Sequence, residues 1–106
     1  MSEKWDALAT KILVMLDESP ERASLVSNDH FLINAGNFIV SVLNAADLVT
    51  FEILDFEGKL IDAFTDTDLT ELGCPGYSAK YAQLFTSLER HRSGADAAID
   101  DILVSL

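Results

Sequence analysis

Cysteine, proline and basic residues are all scarce in this sequence, and each scarcity excludes something. The lone cysteine, Cys74, cannot close an internal disulfide, so the fold rests on its core and the expected setting is a reducing cytoplasm. Seven Lys and Arg face eighteen Asp and Glu, leaving a net charge of −11 and an isoelectric point near 4.2. Such a surface repels phosphate backbones and anionic headgroups, which argues against nucleic-acid and membrane-surface partners. Long apolar runs are missing too. The stretch from Phe38 to Leu48 is broken by Ser41, Asn44 and Asp47 and falls short of the ~20 residues that span a bilayer. The opening Met-Ser-Glu-Lys-Trp-Asp has neither the basic start nor the apolar run of a signal peptide. The sequence also lacks a phosphate-cradling glycine loop, zinc-type Cys/His spacing and a nucleophile elbow, so no cofactor is implied and an enzyme is disfavoured.

What is present suffices for one core: 106 residues, 49% of them hydrophobic, expected to form a single domain over residues 1–106. Trp5, Leu8, Ala9, Ile12, Leu13 and Leu16 recur at helical spacing, with Ser2 placed to cap the first turn. Ser19-Pro20-Glu21 has the chemistry of a short helix start that fades by Ser27. From His30 the character turns to sheet. Phe31–Ile33 and Phe38–Leu43 flank Asn34-Ala35-Gly36-Asn37, and Leu48–Phe56 and Lys59–Thr65 flank Glu57-Gly58: two hairpins joined at Asn44–Asp47. Thr67–Leu72 reads as one helical turn stopped by Gly73. Helices follow over Ser78–Arg92, with Tyr81, Leu84, Phe85 and Leu88 on one stripe, and after the box Ser93-Gly94-Ala95-Asp96, with Ala95, Ala98, Ile99, Ile102, Leu103 and Leu106 on one face. The expected fold is α+β: a four-stranded antiparallel meander with an N-terminal helix and two C-terminal helices mainly on one face, in the order α-β-β-β-β-α-α.

A sheet covered on one face should alternate, and Val49-Thr50-Phe51-Glu52-Ile53 does. Its neighbours carry surplus apolar residues: Ile39 and Leu43 oppose Phe38, Val40 and Val42, while Leu54 and Phe56 fall on the polar side. Three readings explain the surplus. Helices cover both faces, a bulge near Leu54 shifts the phase, or the second face is an interface, for which pairing of two copies is the commonest solution.

The densest acidic stretch is Asp55, Glu57, Asp62, Asp66, Asp68 and Glu71. Asp66-Thr67-Asp68 starts like a calcium loop, but Glu71 stands where that loop needs glycine and Tyr77 where it needs the bidentate glutamate, so no metal site is expected. His30 and His91 read as structural or surface residues. Cys74 precedes a helix start, where a dipole lowers a thiol's pKa, yet nothing in the spacing pairs it with a base.

The reading with most support is a small acidic cytoplasmic protein-interaction module, homodimeric, of inhibitor, immunity or chaperone type. It would bind a basic partner through Asp55, Glu57, Asp62, Asp66, Asp68 and Glu71. The alternative is a small-molecule domain in which Trp5, Phe38, Phe51, Tyr77 and Tyr81 line a cleft and Glu52 selects a cationic ligand.

Overall fold

Helical spacing of apolar residues winds the first segment into α1 (Ser2–Glu18), which buries Ala9, Ile12 and Leu16 and half-buries Trp5, Leu8 and Leu13. The computed structural model describes residues 2–106; the cap read at Ser2 depends on a side chain outside the described ones. A 3-10 turn at Pro20–Arg22 follows, and Ser19 makes no side-chain cap there. The sheet comprises β1 (Ser24–Ser27), β2 (His30–Ala35), β3 (Phe38–Ala45), β4 (Leu48–Asp55) and β5 (Leu60–Thr65), antiparallel throughout and adjacent in chain order. The chain ends in α2 (Asp66–Glu71), α3 (Tyr77–Ser93) and α4 (Ala95–Ser105).

The meander therefore has five strands, not four. The extra one, β1, is four residues long, begins and ends on serine, and slips register between Leu25 and Ser27. Pairing with β2 extends it, because so short a stretch has too little alternation to declare itself.

Turn chemistry sets the register. Gly36, at φ +63°, opens the two-residue turn between Ala35 and Phe38. The next turn places Ala46 and Asp47 at φ +53° and +62°, between Ala45 and Leu48. That backbone suits Asn-Gly, and alanine holds it at a cost of roughly 1–2 kcal/mol. Between β4 and β5, Ile53 pairs with Asp62 and Leu54 with Leu60, so Ile61 is the extra residue of a bulge. The bulge read near Leu54 is present, and the phase of β5 changes there.

Inward rows such as Phe31–Val42–Phe51–Phe64 meet α1, α2 and α3 in one core, joined by Leu69, Tyr81, Leu84, Phe85 and Leu88. Each fully buried Phe or Leu stabilises the fold by about 1.5–3 kcal/mol. α2 begins with a box absent from the sequence reading: Thr65 accepts from the Asp68 N–H while Asp68 accepts from the Thr65 N–H.

The last helix differs from expectation. Ser93 belongs to α3, where its hydroxyl donates to the Arg90 carbonyl, and Gly94 at φ +74° both ends α3 and starts α4 without a side-chain cap. None of α4 is buried, its packing partner is α3, and Ile99, Ile102 and Leu103 are 46%, 56% and 66% exposed. The chain accordingly measures 52 × 32 × 24 Å with a radius of gyration of 15.1 Å. A compact domain of this length has about 13 Å.

Candidate docking surfaces

The outward rows of the sheet are Asn34–Ile39–Leu54–Leu60, Leu32–Ser41–Glu52–Ala63 and His30–Leu43–Thr50–Thr65. The core helices lie on the other side. Leu43 remains 37% exposed and Leu60 51%, with Ile61 beside it at 51%. Of the three explanations for surplus apolar residues, cover on both faces is overturned, since no helix packs on this side, the bulge accounts for Ile61, and an apolar row remains in which Ile39 and Leu54 are half-buried and Leu60 is exposed.

His30 and Ser41 meet on this face, with His30 Nε2 2.7 Å from Ser41 Oγ. Imidazole against hydroxyl is the nucleophile–base pair of a triad, but Ser41 is only 3% exposed. Glu52 stands across the ladder on the far side of Ser41, whereas a triad needs its carboxylate behind the imidazole. The pair instead satisfies a buried hydroxyl. Sequence reasoning missed it because the contact is diagonal across two strands whose register was unknown.

The acidic residues occupy one end and one edge of the sheet, and most have work inside the fold. Asp55 accepts from the N–H groups of Glu57 and Lys59, each at 2.9 Å, and so shapes the β4–β5 turn. Asp62 accepts from Trp5 Nε1 at 2.9 Å. Asp66, 9% exposed, accepts from the Val49 N–H at 2.8 Å, and Asp68 closes the box at α2. Glu57 and Glu71 are exposed. Among the described residues no three His, Cys, Asp or Glu side chains gather to hold a metal ion.

The aromatic residues come together as core rather than as the walls of a cleft. Trp5 stacks on Phe64 at 5.0 Å, Phe64 on Phe51 at 4.7 Å, and Phe51 meets Tyr81 edge-on at 4.9 Å. Tyr81 donates to the Ala9 carbonyl at 2.7 Å. Glu52 follows Phe51 in the strand and therefore points to the opposite face, away from Trp5, Tyr77 and Tyr81. Phe38 lies at the sheet's end, 44% exposed.

Where α1 meets the start of α3, the Tyr77 hydroxyl contacts Thr10 Oγ1 at 2.7 Å and donates to the Asp6 carboxylate. Burial first, and the Asp6 hydrogen bond second, push its pKa up. Half-buried Cys74 shares this corner, and its thiol is pushed up by burial and by the negative charge of Asp6. This reverses the activation read from a nearby helix start, because burial first and the Asp6 carboxylate second both favour the neutral thiol. A raised pKa means less thiolate at any given pH. Alkylation of Cys74 should therefore run slower than that of a free cysteine at neutral pH, reach half its maximum at a higher pH, and accelerate in Asp6→Asn. A rate equal to free cysteine in both proteins would contradict this account.

Compared with known families, characterised proteins and solved structures, the chain matches none. No helix among the described residues is long and apolar enough to cross a membrane.

Proposed function

We propose that this chain is a protein-interaction module that inhibits, shelters or chaperones a basic partner, and that the partner docks on the uncovered sheet face. The observation that carries the reading is the outward row Ile39–Leu54–Leu60, left without a covering helix in a chain of net charge −11. Exposed apolar rows rimmed by charge mark docking surfaces, and the acidic field steers a basic surface toward them. Asp55, Glu57, Asp62, Asp66, Asp68 and Glu71 serve mainly through that field, since four of the six are already hydrogen-bonded in turns, caps and anchors. A reducing cytoplasm suits a module with a single half-buried thiol.

The test is capture from lysate of the native host at low and high salt, followed by cross-linking to locate the contact. A basic protein should be held at low salt, cross-link to Glu52 and Glu57, and be lost by the double variant Ile39→Ser/Leu54→Ser while its circular dichroism stays unchanged. Capture that is equal in the variant, or absent from the wild type, would sink the reading.

A further inference from the structure

We propose that α4 is an exchange arm: in a twofold dimer it lies in the groove between α1 and α3 of a second copy of this chain. The groove has a volume of about 530 Å³, with Leu13, Val14, Leu84 and Leu88 along its floor and Lys80 and His91 on its α3 side. Val14 is 56% exposed there, an apolar residue on α1 that its own chain leaves open. Along α3 the groove runs from Lys80 to His91, roughly 18 Å at 1.5 Å per residue, and the eleven residues of α4 measure roughly 16 Å. An apolar helix of matching length stands beside it, with Ile99, Ile102 and Leu103 left about half or more exposed.

Only the first turn of the chain's own α4, at Asp96, reaches its own groove. Gly94 alone separates α3 from α4, whereas two helices lying side by side antiparallel need a loop of about two to five residues. Arg90 further fixes the start of α4, with Nη2 2.6 Å from Asp96 Oδ1 at the mouth of the groove. The occupant must come from another molecule.

Charge selects which surface of that molecule. α4 carries Asp96, Asp100 and Asp101 and no basic residue, a net −3, while α3 carries Lys80, Arg90 and Arg92 against Glu89, a net +2. Among the described residues no other helix or strand is net positive. The acidic edge and a second α4 would repel this helix, whereas the groove sets Lys80 against Asp17, its own Asp96 being already paired with Arg90. With the twofold axis near Gly94, α4 starts at the His91 end of the second copy's groove and runs toward its Lys80. The negative end of the helix dipole then meets a lysine, and Ile99, Ile102 and Leu103 settle over Val14, Leu84 and Leu88. The contact is isologous, so both arms are buried at once and no open chain of subunits forms.

Light scattering behind size exclusion on the full chain should give a dimer. Ile102→Asp and, separately, Val14→Asp should each weaken it by at least about 100-fold in dissociation constant. Circular dichroism of Ile102→Asp should stay close to wild type, because α4 adds nothing to the core, while its melting temperature should lose the dependence on protein concentration that the dimer gives the wild type. In a Cys74→Ser background, mixing Ser87→Cys with Ile99→Cys under mild oxidation should join the two chains between positions 87 and 99. A wild-type monomer, a dimer indifferent to both aspartates, or a preferred 99-to-99 disulfide would each overturn the exchange arm. The sheet-face reading is tested separately, since partner capture is read at Ile39 and Leu54 and dimerisation at α4.

Discussion

Phe64→Ala should destabilise the fold by about 4 kcal/mol, a large share of the 5–15 kcal/mol that holds a typical domain. Phe64 is 1% exposed and is the middle ring of a three-ring stack, 5.0 Å from Trp5 and 4.7 Å from Phe51 with the planes nearly parallel. Its removal opens a cavity under α1 and also breaks two aromatic contacts, each worth about 0.5–1.5 kcal/mol beyond area burial. Trp5 is the sole tryptophan, so its fluorescence follows urea unfolding and reports the missing ring directly. Phe64→Leu should recover more than half of the loss, since most of the volume returns and only the stacking does not. Phe38→Ala is the comparison: that ring is 44% exposed at the end of the sheet and should cost less than about 1 kcal/mol. If Phe64→Ala costs no more than Phe38→Ala, the stack is not the spine of the core.

The same stack shows what the sequence could and could not declare. Periodicity identified Trp5 and Tyr81 on helical stripes and Phe51 on the inward side of an alternating strand, because those patterns are local. The same alternation placed Glu52 opposite Phe51 and so already spoke against one cleft holding both, whereas the stacking of Trp5 on the Phe51 side needed the packing of α1 on the sheet. β1 escaped notice for a related reason: Ser24–Ser27 is a strand only because β2 lies beside it. Helix α4 was legible as amphipathic from Ile99, Ile102 and Leu103, yet amphipathicity says that a face wants cover and not where the cover lies. The acidic cluster was legible in composition, while the division between carboxylates engaged in the fold and those free to meet a partner needed hydrogen bonds that link residues far apart in the chain.

Asp66 gives that division its sharpest test. β5 stops where Thr65 pairs with Thr50, so the N–H of Val49, one residue earlier in β4, has no strand carbonyl to meet. The chain has already turned into α2 there, and the Asp66 carboxylate takes the carbonyl's place at 2.8 Å. Asp66→Ala strands that N–H among buried residues and should cost about 2–3 kcal/mol, seen as a lower urea midpoint with an unchanged slope. Hydrogen exchange at the Val49 amide should accelerate beyond that global loss, because its only partner has been removed. Asp66→Asn keeps an acceptor oxygen and should return most of the stability, which separates the hydrogen bond from the charge. Equal losses in Ala and Asn would mean that charge, not this hydrogen bond, is what the site requires. The consequence for binding is direct: a carboxylate committed to Val49 is not free to pair with a partner's lysine, so Asp66→Asn should leave partner capture nearly unchanged. Glu57→Lys and Glu71→Lys, at exposed positions of the same edge, should weaken capture while leaving the urea midpoint where it was.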